Sequence, residues 1–481
     1  MRRQVAIAAG VAALLAGYVT LDVHDVVPGL LTEAAPRTAA AGMPGGRPTP
    51  SSAPSASVVV PVAPASAAGP LPDVDSLAPV PTAKGLLAAV GGRLHDPRLG
   101  RQVSVTIRDG LTGQHLLDLA PEVPRAPAST AKLLTAAAIA RAADLSQRMT
   151  TKVVQGAGPT DLVLVAGGDL LLSPGRGNPD AVAGRAGLLD LARQVATAAH
   201  QQGLRSVRLQ LDDTWARGPA YATGWLGPDI DLGLTGAVAT LGLSSQRATP
   251  GHPTPSDPAA SAATALAARL RALGLTVSPT VTRTTAPSGA AVLGQVESAT
   301  LGETLSLALA DSDNALTESL ARQVAVRAGR RPDFPAVAAW VLASLRARGI
   351  PAAGVHLVDS SGLSRGTTVP ARVMGDVLGL ASRGKDAGLE AVVSGLPVAG
   401  LTGTLHDRFH APSSRGAAGI ARAKTGTLTG VSSLAGTVVD RDGRLLTFVV
   451  LADAVPPGGG TLDARAALDA FVATLATCGC R

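Results

Sequence analysis

Two strand–turn–strand patterns, more than three hundred residues apart, bracket the folded part of this chain. The first is VSVTIRD (103–109), a turn beginning at Gly110, then GQHLLDLA (113–120). The second is VSSLAGTVVD (431–440), a turn at 441–443, then RLLTFVVLAD (444–453). β-Branched and large apolar residues bounded by Gly and Asp are what a hairpin requires. An isolated hairpin is marginal in water, so each needs further strands or a helix against it. Helical patterns supply that cover. STAKLLTAAAIARAA (129–143) reads as a buried helix and TLDARAALDAFVATLA (461–476) as an amphipathic closing helix. Strands at both ends with helices between predict an α+β domain, an antiparallel sheet flanked by helices.

The rest of the chain divides by composition. Arg2 and Arg3 precede an uncharged run from Val5 to Leu21, and Asp22 ends it. That is the layout of an export segment, a signal peptide or a signal-anchor, assigned to 1–22. Residues after the run, such as Val23, are too large for a cleavage site. We therefore expect an uncleaved membrane anchor with the remainder outside the cell membrane, or a secreted protein if the segment is removed. Residues 23–80 are rich in Ala, Pro and Ser and lack any helical or strand period, which predicts a disordered linker. The catalytic domain is expected at 81–154 and 291–481. Between them, 155–290 mixes short strand-like pieces such as DLVLVAGG and SVRLQLDD with helical ones, and reads as an inserted module.

Aromatic residues are 2% of the chain, so cores must be built from Leu, Val and Ala. The net charge of +7 is dispersed without long like-charged runs, and no nucleic-acid surface is expected. Cys478 and Cys480 are the only cysteines. Their spacing excludes a metal framework and leaves a small-ring disulfide or two free thiols.

Lysine is scarce: there are five among 42 basic residues. Two of them lie in short motifs with chemical content. Ser129-x-x-Lys132 opens the first helix, Ser312-Asp313-Asn314 lies within ALADSDNALTESLAR, and Lys424-Thr425-Gly426 precedes the last hairpin. Residues three apart on a helix share a face, so Lys132 can reach Ser129. A serine hydroxyl needs a base to become a nucleophile. Lysine serves once burial or a second cation lowers its pKa, which arginine cannot match. Lys424 is a candidate for that cation, and equally for binding a substrate carboxylate. Ser312 offers a hydroxyl to relay a proton. Asn314 offers one donor and one acceptor end to orient Lys132 and a substrate amide. Gly426 permits close backbone approach at a strand where a substrate can add edge-on. Each motif alone is commonplace as a cap, turn or strand end; their order and company are what carry the inference.

These motifs, with DSSGLSR (359–365), LPVAGLTGTL (396–405) and AKTGTLTGVSSLAG (423–436), resemble the D-alanyl-D-alanine carboxypeptidase/endopeptidase family, the class C low-molecular-weight penicillin-binding proteins. Ser129 and Ser312 are 183 positions apart, room for an insertion that class A β-lactamases lack. The resemblance implies a β-lactamase/transpeptidase-like domain. It also implies a serine hydrolase acting on peptidoglycan stem peptides and trapped by β-lactams. Ser129 would be acylated with Lys132 as base, and Ser312 and Asn314 would relay the proton and place the substrate. Lys424 and Thr425 would hold the terminal carboxylate. The backbone N–H groups of Ser129 and Thr427 would form the oxyanion hole. GPAYATGWLGPDIDLG (218–233) is similar to a family segment followed by an acidic residue for the substrate's side-chain amine, which falls at Asp229, with Asp231 as competitor.

Ser360 stands where the family commonly has glycine. His406 and His410, four apart, would share one face of a solvated helix. With no glutamate between them in a metal-binding pattern, no metal or organic cofactor is expected. Two other readings remain: a β-lactamase or esterase of the same fold, and a non-catalytic wall-binding or β-lactam-sensing module. Neither the carboxypeptidase–endopeptidase preference nor the oligomeric state is set by these residues.

Overall fold

The computed structural model describes residues 74–458 and 460–481. The expected anchor (1–22) and all but the last residues of the expected linker (23–80) lie outside the described residues. Among those described, no helix is long and apolar enough to cross a membrane.

The two hairpins join into one five-stranded antiparallel sheet. Its order is Arg422–Leu428, Val431–Val439, Leu445–Ala452, Val103–Asp109 and His115–Leu119. The register pairs Val105 with Val450 and Leu434 with Val450, so the central strands are bonded on both edges. Side chains alternate across the sheet. Leu434, Val438, Phe448 and Val450 pack under the helices Ala83–Leu94 and Gly460–Thr477. Ala435, Val449 and Leu451 face the other way, onto Lys132–Ala142 and the helices around it. Covered on both faces, the central strands are buried along their length, and all nine residues of Val431–Val439 are buried, Ser432, Ser433 and Thr437 included. The scarcity of aromatics shows in the core on the Lys132–Ala142 side, which is mostly Ala, Leu and Val.

A second, mixed sheet packs its own core. Its strands are Thr276–Val277, Ser206–Asp212, Asp161–Val165, Arg148–Gln155 and Val292–Thr300, and Thr282–Arg283 also pairs with Ser206–Asp212. The Asp161–Val165 and Ser206–Asp212 strands are parallel, which requires a crossover. Helix Leu188–Gln201 supplies it, and Leu191, Val195 and Ala199 are buried with Leu164 and Leu209. Two neighbouring strands of this sheet, Arg148–Gln155 and Val292–Thr300, bracket the region 155–290 in the chain.

Two local expectations are corrected. The helix expected from Ser129 begins at Lys132; Ala128–Ala131 is a 3-10 turn with Ala128 at φ +48°. Thr130 and Ser433 both donate hydroxyl hydrogen bonds to the Pro127 carbonyl, at 2.7 and 2.6 Å, which holds the tighter turn. The stretch from His406 to His410 is a turn, not a helix. Phe409 is 2% exposed with φ +64°, and Arg408 beside it is ion-paired to Asp469 at 2.6 Å. The two histidines therefore share no helical face, and among the described residues no His, Cys, Asp or Glu cluster is arranged to hold a metal ion. Cys478 and Cys480 are joined as a disulfide.

Candidate active site

The edge strand Arg422–Leu428 packs against the turn that carries Ser129. Gly426 makes this contact: a Cβ there would lie 2.5 Å from the Pro127 carbonyl oxygen and 2.2 Å from Ser433 Oγ. The close approach that this glycine allows is thus to the Ser129 turn itself. On the other side the loop 359–364 closes on the same turn, where a Cβ at Gly362 (φ +80°) would meet the Ala128 carbonyl oxygen at 2.1 Å.

Lys132 lies between these elements, fully buried. Its Nζ is 2.9 Å from Ser129 Oγ, 2.5 Å from Asn314 Oδ1 and 2.9 Å from the Ser361 carbonyl oxygen. Asn314 Nδ2 donates to the Leu234 carbonyl at 2.9 Å, which fixes its oxygen toward Lys132. Three acceptors surround Nζ, one for each N–H of the ammonium. Once a proton is lost, Asn314 Oδ1 and Ser361 O, which can only accept, take the two remaining N–H groups, and the lone pair is left to Ser129 Oγ, the one partner able to donate. Burial brings the Lys132 pKa down to about 8, against the opposing pull of Asp359, Glu318 and Asp313. Of the two causes the sequence left open, burial or a second cation, desolvation by burial is the one that lowers it. Lys424, also fully buried, is held well below its ordinary value by burial first and then by the charges of Lys132 and Arg408. Its Nζ donates to the Thr425 carbonyl at 2.9 Å, and Thr425 Oγ1 donates to Thr404 Oγ1 at 2.9 Å.

Ser312 occupies the turn between helices Leu301–Ala310 and Asn314–Arg327, at φ +56°. Asp313 caps the second helix through the Leu316 N–H at 2.9 Å, and so aims Asn314 at Lys132. The structure thus gathers Ser129, Lys132 and Asn314 by direct contact, with the Ser312 turn and the Lys424–Gly426 strand beside them. Thr427 lies in the same strand, paired with Ser432.

Asp229 sits in the short helix Gly227–Asp231 and is half-buried, whereas Asp231 is exposed. Leu234 donates its N–H to the Asp229 carbonyl at 2.8 Å and accepts from Asn314, so the segment is tied to the centre. Burial raises the Asp229 carboxyl above its ordinary value, and Arg365 opposes that rise.

Two buried acids were not singled out from the sequence. Asp359 is fully buried and accepts from the N–H groups of Ser361, Gly362 and Ser364 at 3.0, 2.6 and 2.7 Å, and from Trp225 Nε1 at 2.8 Å. It shapes the loop whose Ser361 carbonyl holds Lys132. Glu318 accepts from the Ser360 N–H at 2.7 Å, and burial, then the charge of Asp359, pushes its pKa up to about 8. Both lie inside motifs already noted; a charged residue amid a run that must be buried was the available signal. Ser360 itself is 1% exposed and its hydroxyl has no partner among the described residues.

A buried lysine against a serine lies at the junction of an antiparallel sheet and a helical layer, and the fold is of the β-lactamase-like class. The chain matches the model of the D-Ala-D-Ala carboxypeptidase 3 (S13) family over residues 86–252 and 248–477, and it belongs to that family. It is 37% identical over 432 residues to Carboxypeptidase DacB of Mycolicibacterium smegmatis, covering 88% of this chain and 91% of that one. A carboxypeptidase of Mycobacterium tuberculosis is 37% identical over 422 residues, covering 86% of this chain and 88% of that one. Among solved structures, penicillin binding protein 4 from Haemophilus influenzae superposes with a TM-score of 0.65 at 21% identity, covering 81% of this chain and 98% of that one, a likeness in fold.

Proposed function

We propose that Ser129 is the nucleophile and Lys132 the general base of this serine-type D-Ala-D-Ala carboxypeptidase/endopeptidase, which acts on peptidoglycan. The observation that carries the reading is the trio of contacts on Lys132: in the neutral amine the two obligate acceptors take its N–H groups, so its lone pair falls to Ser129 Oγ. Lys132 takes the Ser129 proton as Oγ bonds to the penultimate D-Ala carbonyl carbon. The N–H groups of Ser129 and Thr427 receive the developing oxyanion, where losing one donor costs about 3 kcal/mol. The C–N bond breaks as the leaving amine takes a proton through Ser312, and water then hydrolyses the ester. Lys424 and Thr425 hold the terminal carboxylate, and the edge strand through Gly426 receives the peptide backbone. Asp229 receives a side-chain ammonium of the stem peptide; its half-buried position favours it over exposed Asp231.

A β-lactam would acylate Ser129 by the same route. The catalytic domain comprises 81–154 and 291–481, with 155–290 inserted, and works outside the cytoplasm on a tether formed by 1–22 and 23–80. Fluorescent penicillin labelling of wild type and Ser129→Ala, with D-Ala release from a stem-peptide mimic in parallel, tests the assignment. Labelling and release that both vanish in Ser129→Ala support it. Labelling that survives refutes the nucleophile. Rapid penicillin turnover without D-Ala release would indicate a β-lactamase.

A further inference from the structure

Arg247 lies 66 positions before Asp313, outside all three motifs, yet its guanidinium spans the Ser312 turn. Nε and Nη2 donate to Asp313 Oδ2 at 3.1 and 2.9 Å, and Nη2 also donates to Asp311 Oδ2 at 3.0 Å. The carboxylates immediately before and after Ser312 are thus held by one side chain, itself 20% exposed. Ser312 between them is at φ +56°, a region that L-residues enter only when their surroundings impose it. Asp313 cannot swing away, because its other oxygen caps the helix that carries Asn314.

Arg247 is itself anchored. It follows the 3-10 turn Ser244–Gln246. The Ser244 N–H donates to the Leu172 carbonyl at 2.8 Å, and Gln246 Oε1 accepts from Ser261 of helix Pro258–Ala272 at 3.0 Å. The fork geometry matters: a planar guanidinium reaches two carboxylates at once, whereas an ammonium is a point charge that holds them less rigidly. Without it, two like charges flank Ser312 and repel, and the turn is left to its helix-end backbone bonds, Asp313 N–H to the Ala308 carbonyl at 3.0 Å and Ser312 N–H to the Leu309 carbonyl at 3.4 Å, so the hydroxyl is held less firmly.

We propose that Arg247 is a positioning residue for acylation, holding Ser312 in the backbone conformation that delivers its hydroxyl to the leaving nitrogen. The inference rests on the reading of Ser312 as proton relay. The test is a double-mutant cycle in the full chain with Arg247→Ala, Ser312→Ala and the pair, reading the rate of acylation by fluorescent penicillin and the kcat and KM of D-Ala release. Arg247→Ala should slow acylation about tenfold or more with KM nearly unchanged, and Arg247→Lys should recover part of the loss. In the Ser312→Ala background, Arg247→Ala should change the rate by less than about twofold, because residues acting through one another are not additive. A wild-type rate for Arg247→Ala overturns the proposal, and so does an equal loss in both backgrounds. A wild-type rate for Ser312→Ala refutes the relay reading itself, and the inference with it. If Arg247→Ala does not fold, Asp311→Ala serves in the same cycle, since it removes one arm of the clamp and leaves the helix cap intact.

Discussion

Lys132 and Asn314 are 182 positions apart and meet at 2.5 Å inside a fully buried pocket. The contact adds no charge beside Lys132, whose pKa is lowered by burial. A neutral amide accepts from the lysine without adding a negative charge that would favour its ammonium form. With its pKa at about 8, Lys132 is protonated below that value and, as the proposed base, free above it. Acylation should therefore rise with pH through about 8. Asn314→Asp should move the midpoint up by about one unit or more, since an adjacent carboxylate favours the charged lysine. Penicillin acylation rates measured from pH 6 to 10 check both; an unshifted midpoint would refute the role of Asn314.

Glu318 carries the opposite sign. Its folded pKa of about 8 lies above the unfolded value, so the native state holds a proton that the unfolded chain releases. Stability should fall as pH rises from about 4.5 to about 8, by at most about 1.4 kcal/mol per pH unit, and level off beyond. Glu318→Gln removes the ionisation and keeps an oxygen for the Ser360 N–H. Urea unfolding at a series of pH values should show a flatter profile for Glu318→Gln; parallel profiles would contradict it.

Gly426→Ala should separate the Lys424 strand from the Ser129 turn. The added Cβ would meet the backbone carbonyl of Pro127 at 2.5 Å, which cannot move without the turn moving. Acylation should fall by about 100-fold or more, the scale expected when reacting groups are displaced by an ångström. Adding Ser433→Ala should not restore it, because the carbonyl clash remains.

Ser360→Ala should be neutral or stabilising by about 1 kcal/mol, since it deletes a buried hydroxyl that bonds to none of the described residues. Chemical denaturation measures it, with D-Ala release expected to stay near the wild-type rate.

Asp229→Ala should raise KM about tenfold for a stem-peptide mimic with a free side-chain amine, and leave the acetylated mimic unaffected, the scale of one charge-assisted hydrogen bond. Equal effects on both mimics would remove Asp229 from substrate recognition.

The hairpins and the closing helix were legible because their patterns are local: alternation across a sheet and helical spacing of apolar residues follow from side-chain geometry alone. The His406–His410 turn was not, because burial of Phe409 and the Arg408–Asp469 pair override the local preference. Nor was the start of the first helix, which hydroxyl bonds to the Pro127 carbonyl delay to Lys132.

The chemical inventory of the site was written in the sequence: a serine, two lysines where arginine is the rule, and an asparagine, in an ordered set of motifs. What only the tertiary structure decided is how Lys132 is held. One of its acceptors is the backbone carbonyl of Ser361, which no residue type announces, and the loop that presents it is shaped by Asp359. The shift in its pKa comes from desolvation by the whole surrounding core, a property of packing that no pair of residues carries in its spacing.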